Sequence, residues 1–219
     1  MKKSLPIIIA VVLTVALASI TVFSADKKDI TINSKKAGNE VSKEIKELVN
    51  LISTDIMLFQ GSDNKWTGEY RVIQKGEDLK AELSVVRNFG GYEDKTFKYT
   101  IETDTGKTTG TIAFQNGGMY DIETSFIPEK DKTIKVMIEW GNEKSVLELT
   151  NRITEDVITS EKALEIFKNR FSQVKDLSKL SHIRFHYDFG SKSWHIPFAN
   201  GGVDIDAITG EVGNPIYAN

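Results

Sequence analysis

Apolar residues alternate with polar ones over most of residues 54–151, and this period of two limits the possible folds more than any other feature. The segment KWTGEYRV places Trp66, Tyr70 and Val72 on one side, and LKAELSVVR and TFKYTIE repeat the pattern. Such alternation predicts strands with one buried face. About seven or eight short strands, separated by glycine turns, predict an antiparallel β-sandwich at 54–151.

The N-terminus carries an uncharged, largely apolar run over residues 5–25, preceded by Lys2 and Lys3. A helix of this length crosses the hydrocarbon core of a bilayer. The two lysines place the N-terminus in the cytoplasm and the later residues outside. We therefore predict a single-pass protein of the cell membrane, with residues 1–25 as a transmembrane signal-anchor. Cleavage near the ALA at 16–18 is the alternative, and it would make the protein secreted.

Residues 26–53 are predicted to be a polar spacer followed by a short amphipathic helix. The apolar residues Val41, Ile45, Leu48 and Ile52 recur at helical spacing, with charged residues between them. The expectation is that this helix packs on the domain that follows it. A dimerising stalk is the alternative.

Residues 154–219 change pattern again and predict a small α+β domain. TSEKALEIFKNRF has one apolar face and a Thr or Ser cap, which is typical of a helix. HIRFHYDF, SWHIPF and VDID alternate as strands. We expect the helix to pack on an antiparallel sheet of three or four strands and to cover its aromatic side, which includes Phe185 and Trp194.

All three histidines of the chain fall on the opposite, polar side of this sheet. A turn at Gly190-Ser191 would set His186 opposite His195, and the next hairpin would set His195 opposite Asp206. The predicted binding residues on this side are His182, Arg184, His186, His195, Asp206 and Glu211.

Two imidazoles and a carboxylate are ligands that zinc accepts. His186, His195 and Asp206 are therefore candidate metal ligands, although a solvated polar face without any ligand is the simpler alternative. Protein binding across this face is a third interpretation.

Several function classes have little support in the sequence. The net charge of −3 is spread along the chain and argues against nucleic-acid binding, and the absence of cysteine excludes disulfides and thiolate chemistry. Gly106-Lys107-Thr108 resembles the end of a P-loop, but Ile101 stands where that motif requires glycine. No serine-hydrolase elbow or zincin motif occurs. We predict a protein that is not an enzyme and has no cofactor, with a metal-dependent hydrolase as a minor alternative.

The segments EKALEIFKNRF, SWHIPF and VDIDAITGEV together resemble the PepSY domain over about residues 158–217. Asp206-Ala207-Ile208-Thr209-Gly210-Glu211-Val212 is the most specific part of this resemblance. The resemblance implies a helix packed on an antiparallel sheet and a role in restraining peptidases or in binding peptides and partner proteins. It assigns no role to the histidines.

The preceding segment resembles the β-sandwich modules of bacterial surface proteins and is immunoglobulin-like in architecture. The expected function is an extracytoplasmic, membrane-tethered binding or regulatory protein whose partner is an envelope protein or peptide, such as a peptidase. A structural or adhesive surface module that binds through the sandwich is the alternative.

Overall fold

The structure, a computed structural model, describes residues 41–88, 96–113, 119–174, 176–198 and 201–217. Two α-helices and twelve strands lie in these residues, with a 3-10 turn at Leu177–Lys179. The helices are Lys43–Val49 (α1) and Ser160–Arg170 (α2), and the strands are Ser53–Ser62 (β1), Trp66–Lys75 (β2), Asp78–Arg87 (β3), Thr96–Glu102 (β4), Lys107–Ala113 (β5), Met119–Thr124 (β6), Ile134–Trp140 (β7), Glu143–Asn151 (β8), His182–Asp188 (β9), Ser191–Phe198 (β10), Gly201–Asp206 (β11) and Ile216–Tyr217 (β12).

Strands β1 to β8 surround one of two apolar cores, which we call the first core. Their hydrogen-bonded order is β6-β3-β2-β1-β8-β7-β4-β5, so β5 and β6 are the two end strands. The apolar residues that alternate along the sequence, such as Trp66, Tyr70 and Phe97, point into this core. Aromatic rings pack edge to face there, with 4.8 Å between the ring centroids of Phe97 and Tyr120.

Strands β9 to β12 form the C-terminal part of the sheet, and α2 covers one of its faces. Thr159 caps α2, because its side chain accepts a hydrogen bond from the Lys162 N–H. Phe167 of α2 and Phe185 and Trp194 of the sheet belong to a second apolar core. Trp194 is 2% exposed. Its indole N–H donates to the Ile158 carbonyl at 2.9 Å, which satisfies the one polar atom of this ring.

Helix α1 packs into this second core, although it precedes β1 in the chain. Ile45, Val49 and Ile52 are buried there with residues of α2. Lys168 Nζ of α2 also lies 2.7 Å from a Glu44 carboxylate oxygen of α1. The helix was expected to pack on the segment that follows it in the chain. That expectation is wrong, because the apolar residues of α1 are buried with those of α2, more than a hundred residues later in the chain.

The predicted fold class, a transmembrane helix followed by a sandwich and then a separate α+β module, is wrong. The described residues are mainly β-strand, and their strands form one connected system. Strand β1 provides the connection: it pairs with β8 over a short stretch and, in parallel, with β9 at Ser53↔His182 and Thr54↔Ile183. The described residues accordingly belong to one compact unit.

The predicted transmembrane helix and spacer, residues 1–40, lie outside the described residues. Within the part of the chain that the structure describes, neither helix has the length and apolar character needed to cross a bilayer.

Strand β1 is the element that the alternation of residues did not reveal. A bulge between Asp55 and Met57 interrupts its pairing with β2. Consecutive residues are also buried on opposite sides, since Leu58 belongs to the second core and Phe59 to the first. A strand that contributes to two cores cannot show a simple period of two.

Candidate functional site: the histidine face

The hairpin between β9 and β10 turns at Phe189-Gly190. Both residues have positive φ, 44° and 89°, and Asp188 pairs directly with Ser191. The predicted turn at Gly190-Ser191 is therefore wrong. Positive φ at both central residues is typical of a type I′ turn.

This turn shifts the predicted pairing by two residues. His186 lies opposite Ser193, and His195 lies opposite Arg184, instead of opposite each other. A shift of two residues keeps every side chain on its own face of the sheet, so the alternation of apolar residues is equally consistent with either register. The prediction that the histidines share a polar face, away from Trp194, does not depend on this error.

The next hairpin is shifted by two residues as well. His195 lies opposite Asp204, and Asp206 lies opposite Ser193, so the predicted His195–Asp206 pair does not form. His195 Nδ1 is 2.9 Å from Asp204 Oδ1. Asp204 is thus a site residue that sequence reasoning missed. The available signal was the Asp-x-Asp spacing, which places both acids on one face of β11.

We call the outward polar side of β9 to β11 the histidine face, defined by His182, Arg184, His186, His195 and Asp204. His186 and His195 are diagonal neighbours, and their rings stack with 5.5 Å between centroids and 28° between planes. His186 is exposed, while the other four side chains are half-buried. His182 Nδ1 lies 2.9 Å from the Ser181 hydroxyl. The face is therefore a partly open polar surface rather than a deep pocket.

Partial desolvation lowers the pKa of His186, and the positive charge of Arg71 adds to this effect. Desolvation also lowers the pKa of His182, with a further contribution from Arg184. An ordinary histidine has a pKa of about 6.5. Because both values are lower, these two imidazoles are neutral at pH 7, and each can donate one hydrogen bond and accept another.

Asp206 and Glu211, predicted as members of the same polar row, instead form the turn after β11. The Asp206 carboxylate accepts from the Ile208 N–H at 2.9 Å and from the Thr209 N–H at 2.7 Å. Burial raises the pKa of Asp206, but these hydrogen bonds outweigh it, so the pKa is lowered overall. The Asp206 N–H donates to the Glu211 carbonyl, as expected for strands that return side by side. Gly210 supplies a positive φ of 75° in this turn.

A buried carboxylate that the sequence did not single out anchors the inner edge of the histidine face. Asp55 of β1 has no exposed side-chain surface and pairs with Arg71 and Arg184. The Arg184 guanidinium donates to Asp55 Oδ1 at 2.7 Å, and the Phe185 N–H donates to Asp55 Oδ2 at 2.9 Å. Arg71 also bonds to Glu69, at 2.6 Å.

Where the pairing of β9 with β1 stops, side chains provide the hydrogen bonds to the main chain of β9. Beyond Thr54 the two strands separate, and Asp55 accepts from the Phe185 N–H while Arg71 donates to the Phe185 carbonyl at 3.0 Å. Gln60 donates to the Tyr187 carbonyl at 3.3 Å. The buried edge of β9 thus has hydrogen-bond partners without a neighbouring strand.

The geometry favours hydrogen bonding over metal binding. Among the described residues, no group of three or more histidine, cysteine, aspartate or glutamate side chains is arranged to hold a metal ion. Of the candidate ligands His186, His195 and Asp206, the two imidazoles are neighbours, but the Asp206 carboxylate is bonded within its own turn. Neutral imidazoles beside an arginine and a carboxylate can bind polar and main-chain groups of another molecule.

Comparisons with known proteins add no relative to this picture. No protein-family model matches the chain. Neither the curated proteins nor the solved structures include a match to it.

Proposed function

We propose that this protein binds an envelope protein or peptide through the histidine face and regulates that partner, with a peptidase as the expected class. The observation that carries the proposal is the stacked His186–His195 pair, in which His195 bonds to Asp204 and His186 is exposed. The opposite face of the same strands is fully used, because α2 packs on it. The histidine face is thus the side of this part of the sheet that is left for a partner.

The polar groups of this face suit recognition of peptide groups. Arg184 and Asp204 offer opposite charges, and the neutral imidazoles of His182 and His186 offer both donors and acceptors. Exposed peptide main chain requires both kinds of group. Asp55 and Arg71 form hydrogen bonds with the main chain at the edge of β9. These bonds preorganise the face, which lowers the entropy lost on binding.

The resemblance to PepSY domains is what directs the proposal towards a peptidase. It covers α2, the tryptophan-bearing strand β10 and the turn built on Asp206 and Gly210. An extracytoplasmic location is part of the same proposal and is supported by the uncharged residues 5–25 that follow Lys2 and Lys3. The proposal assigns no catalytic residue and no cofactor.

The test uses the full chain added to an envelope extract, with hydrolysis of a fluorescent casein as the measured activity. We expect the wild-type protein to lower this activity. The His186→Glu variant should need about tenfold more protein for the same effect, which is the loss of ~1.4 kcal/mol at a central interface residue. His186 is exposed, so this change should leave the fold intact.

The matched control is Lys144→Glu, which introduces an acid at an exposed position of β8, away from the histidine face. It should behave as the wild type. Equal inhibition by all three proteins, or no inhibition by any, would count against the proposal. Because all three histidines lie on this face, their imidazole resonances in NMR spectra provide an independent reading of where a purified partner binds.

A role in surface adhesion through the eight-stranded part is the second candidate. One observation favours it: Thr109, Thr100, Met137 and Val146 lie side by side across four strands and form an uncharged outward row. Val146 is exposed. Retention of the full chain on purified cell wall, lost in Val146→Glu and kept in His186→Glu, would favour this function over peptidase regulation.

A further inference from the structure

Strand β5 is an end strand of the sheet. It pairs with β4 over all seven of its residues, from Thr96↔Ala113 to Glu102↔Lys107. Within the described part of the chain, β4 is its one strand partner. Its other edge therefore presents main-chain N–H and C=O groups that no described strand uses.

This edge lacks the features that usually prevent strands from pairing with other molecules. Residues 108–113, TTGTIA, contain no charge and no proline. The pairing with β4 runs without a bulge. Proteins commonly protect free edges with lysine, proline, bulges or very short strands, and β5 has a lysine only at its first position, Lys107.

The end strand at the opposite side of the eight-stranded part, β6, is protected in the expected way. Its outward residues Asp121 and Glu123 are exposed acids. If β6 paired antiparallel with a second β6 about Ile122, Asp121 would face Glu123 of the other copy, and like charges directly opposite destabilise a sheet. The contrast between the two edges indicates that β5 differs from an ordinary blocked edge.

The sequence of β5 permits pairing with a second copy of itself. Antiparallel pairing of two copies about Gly110 would use every residue of the strand and would set Thr109 opposite Thr111 of the second copy. Lys107 would face Ala113, so no like charges meet. The burial pattern fits this register, because the exposed Thr109 and Thr111 share one face and the half-buried Thr108 and Ile112 share the other.

We propose that β5 is a dimerisation edge, at which two copies of this chain pair antiparallel about Gly110 and continue their sheets into one. The occupant of the edge is a second copy because residues 108–113 are uncharged and Thr109-Gly110-Thr111 is symmetric about the pairing centre. Paired threonines across strands contribute favourably to such a contact. The histidine faces of both copies are formed by other strands and do not take part.

The proposal is tested by introducing charge on both sides of the expected two-fold axis, with sedimentation of the full chain in mild detergent as the measurement. Wild-type protein should sediment with the mass of two chains. T109K/T111K and T109E/T111E should each sediment as one chain, because positions 109 and 111 of the two copies face each other and would carry like charges. A mixture of the two variants should recover the mass of two chains, since each introduced lysine then faces an introduced glutamate.

The matched control is T96K/T100K, which adds the same charge to the outward side of the neighbouring strand β4. It should retain the mass of two chains. The proposal is overturned if wild-type protein sediments as one chain at all concentrations, or if both charged variants keep the wild-type mass. Binding of a synthetic 107–113 peptide to a wild-type chain that stays single would also overturn it and would assign the edge to a strand of another protein.

Discussion

At the scale of single residues, Asp55 has the largest effect on how the molecule is held together. One carboxylate, fully buried, accepts from two guanidinium groups and from the main chain of β9. Burying charged groups is costly unless they are paired and hydrogen-bonded, and here each partner meets that condition. The pairing of Asp55 therefore determines where β9 can lie relative to β1 and β2.

We expect Asp55→Ala to lower the free energy of unfolding by about 3–5 kcal/mol, because it removes the fully buried carboxylate that Arg71, Arg184 and the Phe185 N–H share. Urea denaturation measures this difference. Glu69→Gln is the matched control, since Glu69 also pairs with Arg71 but is partly exposed, at 27%. That change should cost less than about 1 kcal/mol. Equal effects of the two variants would contradict the role assigned to Asp55.

At the scale of elements, the β9–β10 hairpin shows how a turn decides a register. Phe189 is exposed and adopts a positive φ, which L-residues other than Asn and Asp rarely do. This turn sets His195 opposite Arg184, and the next hairpin separately sets Asp204 instead of Asp206 opposite His195. The identity of the site residues therefore depends on two turns rather than on the strands.

Phe189→Asn should raise the free energy of unfolding by about 1 kcal/mol, because asparagine tolerates the left-handed conformation that this turn requires. The midpoint of thermal unfolding is the measurement. Ser191→Asn, just beyond the turn, serves as the comparison and should change stability by less than about 0.5 kcal/mol. A decrease in stability for Phe189→Asn would show that the Phe189 ring makes contacts that outweigh its backbone conformation.

At the scale of the whole molecule, two cores share one strand. Leu58 lies in the core under α2, and its neighbour Phe59 lies in the core of the eight strands. Parallel pairing to β9 and antiparallel pairing to β2 and β8 connect β1 to both parts. A substitution that destabilises either core should therefore destabilise the other as well, because both contain residues of β1.

We expect Leu58→Ala to lower the free energy of unfolding by about 2–5 kcal/mol and Phe59→Ala by about 3–5 kcal/mol. Each variant should still unfold in one transition that both cores share. The indole resonances of Trp194 and Trp140 report the two cores separately in a urea titration followed by NMR. Both tryptophans should lose their native signals at the same urea concentration in each variant. If Leu58→Ala lowered the urea concentration of unfolding for Trp194 and left that of Trp140 unchanged, the two parts would unfold independently.

The alternation of residues by itself determined the strands around Trp66, Leu83, Phe97 and Trp194, and it determined which side chains face a core, because a period of two follows directly from strand geometry. It also assigned the three histidines to one polar face. It did not determine the registers, since a shift of two residues leaves every face unchanged.

Only the tertiary structure decided that Asp204 joins His195, that Asp55 supports the histidine face, and that β1 connects the two parts into one unit. Each of these depends on contacts between residues far apart in the chain, such as Asp55 with Arg184. No local pattern encodes such contacts, because they arise when turns and shared strands bring separate segments to one place.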